Sequence, residues 1–136
     1  MVSRENVEVF KRAVDAYNRR DVDAFLKEFD PAVEWHPLTQ VMFGEESTVY
    51  RGHEDIREFM REVDEAFDAV QIQSLEIRDL GERVVVVGRL QTRGKASGAE
   101  TESPIAWVVD FKDGKVIWMR DYLDPNKALE AAGLRE

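Results

Sequence analysis

The chain has no cysteine, two histidines and four prolines among 136 residues. Without cysteine there is no disulfide, no thiolate metal site and no cysteine nucleophile, a composition that fits a protein of the reducing cytoplasm. Two histidines with no acidic residues at matching ligand spacing leave no zinc motif. Positive charge is scarce as well. Nineteen Lys and Arg face 28 Asp and Glu, for a net charge of −9. Such a chain repels phosphate backbones, which excludes nucleic acid as an expected partner. No apolar run approaches the roughly 18 residues of a membrane span. Met1 to Asn6 lead into a charged amphipathic helix, so neither a membrane segment nor a signal peptide is expected. There is no Gly-x-Ser-x-Gly elbow for a serine hydrolase. Gly94-Lys95-Ala96-Ser97-Gly98 lacks the Walker pattern and joins two strands, so it reads as a hairpin and no cofactor is expected.

What remains is one domain over residues 1–136, long enough for a core without a disulfide or structural metal. Its first third is helical. Ser3 is placed to cap a helix whose apolar stripe is Val7, Phe10, Val14 and Tyr17. Asp21 caps a second, short helix burying Phe25, Leu26 and Phe29, which Asp30-Pro31 closes because a residue before proline avoids helical dihedrals. Ala32 to His36 predicts a strand leading to Pro37. Residues 38–51, with Phe43 and Tyr50, predict an irregular loop of the length often used as a lid or pocket wall. From His53 a third helix carries Ile56, Phe59, Met60, Val63 and Phe67 on one face.

Beyond Phe67 the apolar period becomes two. Strands are expected at 70–79, 83–93, 101–111 and 115–123, joined by short turns and hence antiparallel neighbours in a meander. Asp113-Gly114 is the clearest of these turns. Val84–Val87 and Val116–Met119 are apolar on both parities, so the second face of the sheet must be covered too. A second copy is the economical cover, which predicts a homodimer, with Trp35, Trp118 and Tyr122 assigned to that outer face. Asp124 caps and Pro125 opens a last helix, Asn126 to Ala132, closed by Gly133.

One acid stands out. Alternation along the final strand puts Ile117, Met119, Asp121 and Leu123 on one side, so Asp121 sits among apolar neighbours. A buried carboxylate is costly unless hydrogen-bonded or protonated. Two readings stand. Either Asp121 is functional, or it is a structural carboxylate neutralised by backbone N–H groups or by Arg89, Arg93 or Arg120.

Four segments carry a family resemblance: AVDAYNRRDVDAFLKEFDPAVEWHP, YRGHEDIREFM, GRLQTRGKASG and DGKVIWMRDYLDPNKALEAAGL. Together they resemble the SnoaL-like, polyketide-cyclase-like branch of the nuclear transport factor 2-like superfamily, over nearly the whole chain. The resemblance implies an α+β, cone-shaped fold: N-terminal helices packed on a strongly curved, mainly antiparallel sheet, with a short C-terminal helix and a deep apolar pocket. Ketosteroid isomerase, in the same superfamily, pairs an aspartate base with an oxyanion hole of a tyrosine and a protonated aspartate. Those positions fall here on His36, Ala13 and near Trp107, so that site is not reproduced. In limonene epoxide hydrolase the final-strand aspartate matches Asp121, but its two partners fall near Ile105 and Trp107.

Polyketide cyclases use a final-strand aspartate as acid/base, often beside histidine. The resemblance therefore implies Asp121 and His36 as a catalytic pair, the apolar pocket raising the carboxyl and the imidazole sharing its proton. Tyr17, Phe43, Tyr50, Phe59, Trp107 and Met119 are the expected ligand-binding walls. Alternatives stay open for His36 as a satisfied strand-end histidine and for Trp107 and Met119 as plain core. The function expected is a small-molecule pocket protein, a cofactor-independent acid/base enzyme of isomerase, cyclase or hydrolase type, acting on an apolar carbonyl or epoxide. The alternative is a non-catalytic binding or accessory protein of the same fold.

Overall fold

In the computed structural model the described residues are 2–37 and 49–134. Helix α1 (Val2–Asn18) starts before Ser3 and buries Phe10, Val14 and Tyr17 as its stripe predicts. Asp21 caps α2 (Val22–Lys27), its side chain accepting from the Ala24 N–H at 3.1 Å. The chain turns extended sooner than the proline suggests. Strand β1 (Phe29–His36) contains Pro31, and tolerates it because β1 carries extra residues between Phe29 and Glu34 against its neighbour. A two-residue β2 (Tyr50–Arg51) pairs with β1 and leads into α3 (Gly52–Ala66), which buries Ile56 and Met60. Of the expected loop 38–51, only residues 49–51 fall within the described residues.

The meander follows as β3 (Phe67–Asp79), β4 (Arg83–Gly94), β5 (Glu100–Lys112) and β6 (Lys115–Tyr122), and α4 (Pro125–Ala131) ends it. Asp113 and Gly114 form the β5–β6 turn at φ +52° and +79°, the left-handed pair such a hairpin needs. The sheet runs β2-β1-β6-β5-β4-β3, antiparallel except where β1 lies parallel to β6. It is strongly curled, with the helices on its inner face, giving the cone.

Two devices shape the sheet. Where β3 bulges between Gln73 and Glu76, β4 presents Gly88. A Cβ there would stand 3.0 Å from the Gln73 carbonyl oxygen and 3.1 Å from Leu75 Cδ2, so glycine permits the close approach. At the outer rim, β3 is an edge strand. Asn18 at the end of α1 donates to the Ile72 carbonyl and accepts from the Ile72 N–H, both at 2.9 Å, taking the place of a neighbouring strand.

Both faces of the sheet are buried, as the double-parity runs demand. Val84, Val86, Trp107, Val109, Val116 and Met119 join the helices in the inner core. Val85, Ala106 and Val108 form a second cluster on the outer face. Part of the cover there comes from the chain itself. Helix α4 lays Ala128 and Leu129 across that patch, and Ala132 and Leu134 just beyond its end pack there too. Among the described residues only Leu80 is a large hydrophobic with substantial exposure, at 42 %.

Candidate active site

Strand β6 holds one extra residue against β5: Trp118 pairs with Asp110 but Val116 with Phe111. Ile117 is the bulged residue, so parity reverses there. Val116, not Ile117, shares the inner face with Met119 and Asp121. Asp121 is buried at 6 % exposure opposite Trp107, its register partner on β5. Its Oδ1 accepts a 2.8 Å hydrogen bond from Trp35 Nε1 on β1.

Trp35 therefore does not belong to the outer face. In β1 it pairs with Met119 of β6 and is 4 % exposed, in ring contact with Phe25, Phe29, Tyr50 and Phe59. Burial alternates along β1 from Val33 to His36, and the extra residues of β1 and β6 reset the register between strands. Trp118 and Tyr122 do lie on the outer face.

The same alternation moves His36 away from Asp121. Glu34 and His36 flank Trp35 and face outward, and His36 Nε2 meets Glu34 Oε1 at 3.2 Å with its ring 5.5 Å from Trp118. Arg51 completes the cluster at 3.1 Å from Glu34. The hydrogen bond from His36, opposed by burial and helped by the charge of Arg51, lowers the Glu34 carboxyl below its ordinary value. An Asp121–His36 pair is thus not assembled within this chain, because one residue of β1 separates the inward indole from the outward imidazole.

The arginines named as neutralising partners are also elsewhere. Arg89 pairs with Glu102, Arg93 approaches Asp68 at 3.8 Å, and Arg120 stacks on Tyr122. Among the described residues, no group of three or more His, Cys, Asp and Glu side chains is arranged to hold a metal ion.

Two phenols complete the inner site. Tyr17 and Tyr50 are 7 % and 8 % exposed. Burial pushes the Tyr17 phenol above its ordinary value, opposed by Arg20 and reinforced by the negative charges of Asp121 and Asp64. Tyr50 is pushed up by burial, then by Glu62, Asp55 and Asp121. Both remain protonated donors across the neutral range and both feel the Asp121 charge. Phe59 packs on Trp35 and Tyr50, Trp107 meets Phe10 at 5.6 Å, and Met119 is buried beside them. The structure so brings together Asp121, Tyr17, Tyr50, Phe59, Trp107 and Met119. Phe43 lies outside the described residues. Sequence reasoning missed Trp35, whose signal was its place two residues before the proline, opposite the final strand.

A groove of about 450 Å³ is lined by polar residues including Gln71, Gln91, Arg93, Glu100 and Glu102. It lies nearer the start of β5 than Trp107, and among the described residues none of the expected walls borders it.

A family model described as a SnoaL-like domain matches residues 10–119. A mixed, curled sheet with an inward final-strand acid places the chain in a class of cone-shaped α+β proteins, and this match makes it a member of the SnoaL-like family. Solved structures agree on the fold. A putative polyketide cyclase from Xanthomonas campestris superposes with TM-score 0.79 at 17% identity, covering 93% of this chain and 96% of that one. TerC, co-crystallised with polyporic acid, gives 0.77 at 24% identity over 96% and 97%. A protein of ketosteroid isomerase-like fold from Catenulispora acidiphila, in complex with trimethylamine, gives 0.75 at 15% identity over 93% of each chain. No curated protein matches the sequence. Among the described residues no helix is long and apolar enough to cross a membrane.

Proposed function

We propose that this protein binds a small apolar or amphipathic molecule against the inner face of its sheet and acts on it as a cofactor-independent acid/base enzyme. Asp121 is the group that exchanges the proton. The observation that carries this reading is the buried carboxylate on the inner face, seated among apolar side chains yet held by a side-chain donor. A carboxylate in low-dielectric surroundings, beside neutral phenols, suits proton abstraction next to a carbonyl or opening of an epoxide. Tyr17 and Tyr50 are the donors available to a developing oxyanion. His36 drops out of the pair. Folds of this kind hold small organic molecules in TerC and in the Catenulispora acidiphila protein, which supports the ligand class without fixing its identity.

The test needs no knowledge of the natural substrate. A nitrobenzisoxazole reports any carboxylate base in an apolar site, because removal of its C–H proton opens the ring to a coloured phenolate. Wild-type protein should accelerate this opening, and Asp121→Asn should lose roughly 10²–10⁴-fold while still binding the probe. Unchanged turnover in the variant would remove Asp121 from the chemistry. A panel of carbonyl and epoxide compounds then separates isomerase, cyclase and hydrolase types.

A second reading has its own support. The described inner face is filled by rings in mutual contact, such as Trp35 with Phe59 at 4.7 Å, which suits a protein that holds a ligand without changing it. Binding of the panel without turnover would favour it. A homodimer, if formed, uses the outer-face strip that α4 leaves open, around Trp118, Tyr122 and Arg120. Light scattering at micromolar concentration decides it, and a monomer would refute it.

A further inference from the structure

The indole of Trp35 and the carboxylate of Asp121 are 86 positions apart in sequence, on adjacent parallel strands, and both are nearly sealed from water. An indole N–H only donates, and a hydrogen bond to it is possible only through an acceptor oxygen. Oδ1 of Asp121 is therefore committed as an acceptor whichever protonation state the carboxyl adopts. The ring cannot easily turn away, since Phe25, Phe29, Tyr50 and Phe59 surround it at centroid distances of 4.7 to 6.5 Å. Hydrogen bonding to the charged form favours that form.

We propose that Trp35 is the positioning residue of Asp121: its indole N–H fixes Oδ1, holds the resting carboxylate ionised, and so makes Asp121 a base that receives a ligand proton. This rests on the reading of Asp121 as the acid/base group and adds its direction. In the first step the ligand C–H bond breaks, its electron pair stays on the ligand, and the proton goes to the carboxylate while Oδ1 keeps accepting from the indole. Returning that proton to another ligand atom restores the anion. Burial alone would favour the opposite resting state, a protonated acid.

The experiment is a pH titration followed by NMR on the intact protein. Trp35 is labelled with ¹⁵N at the indole nitrogen, and Asp121 is followed through its ¹³C carboxyl resonance. The Trp35 indole resonance should shift with the same midpoint as the Asp121 carboxyl, and should lose that step in Asp121→Asn. In Trp35→Phe, the carboxyl midpoint should move to higher pH, and nitrobenzisoxazole turnover should fall at neutral pH and recover as pH rises. A wild-type indole resonance indifferent to Asp121 ionisation overturns the proposal, and this arm needs no variant to fold. So does an unchanged midpoint in a Trp35→Phe protein with native circular dichroism. Should both titrations couple as expected while Asp121→Asn retains turnover, the acid/base reading fails and the positioning role falls with it. Should Asp121→Asn abolish turnover while the titrations are uncoupled, the reading stands and only the role of Trp35 is lost.

Discussion

Replacing Gly88 by alanine tests whether the bend of the sheet is built on a missing side chain. The added Cβ would meet the Gln73 carbonyl oxygen at 3.0 Å and Leu75 Cδ2 at 3.1 Å. The first contact is to backbone fixed in the β3 bulge, and the second is to the end of a flexible side chain. Overpacking of this sort costs about 1–3 kcal/mol. Alanine also restricts the unfolded chain, which returns about 0.4–1 kcal/mol. The net expectation is a loss of about 0.5–2 kcal/mol, or a fall of a few degrees in Tm. Urea denaturation with an unchanged slope would measure it. A double-mutant cycle with Leu75→Ala then divides the cost. If the backbone carbonyl is the obstacle the two substitutions are additive, whereas relief by Leu75→Ala assigns it to the side chain. A Gly88→Ala protein as stable as the parent would show that the close approach is not what bends β4. Because Gly88 pairs with Ile105, two residues from Trp107, a flattened β4 would also disturb the floor beneath Asp121.

Three further outcomes follow from the structure. Asn18→Ala strips Ile72 of both edge partners. It should cost about 1–3 kcal/mol in a denaturant titration and raise self-association, visible by size-exclusion chromatography. Ala128→Asp puts a carboxylate against Val85, Ala106 and Val108, and about 2 kcal/mol or more should be lost; a neutral result would mean that α4 does not seal that face. Glu34 has a folded value below its ordinary one through His36 and Arg51, so the unfolded chain binds its proton first as pH falls. Its contribution is present above the ordinary glutamate range and fades as pH drops through the lower folded value. Wild type and Glu34→Gln should differ by under about 1 kcal/mol at neutral pH, given the exposure of the pair, and converge in acid. A gap that widens in acid would reverse the sign.

Several local signals were legible, although Ser3 falls inside α1 and Phe67 opens β3 where the α3 stripe was expected to continue. The Asp113-Gly114 turn, the α3 stripe and the Asp21 and Asp124 caps each depend on neighbours within a few residues. The burial of Asp121 also followed from alternation within one strand. What escaped depended on pairing between strands. Trp35 and His36 lie on the opposite faces from those expected, because only the β1–β6 register decides which of two adjacent residues looks inward. Helix α4 as the cover of the outer face escaped too, since a short run such as Ala128-Leu129 gives no hint of where it docks.

The surplus residue at Ile117 has a wider meaning. Beyond it, Asp121 looks toward the helices and Arg120 toward Tyr122. Deleting that one position would join Val116, opposite Phe111, directly to Trp118, opposite Asp110, as an unbroken ladder in which Asp121 still faces Trp107. The acid at the heart of the cone is thus held by its cross-strand partners, and the loss of a single codon at the bulge is a change that the interior could absorb.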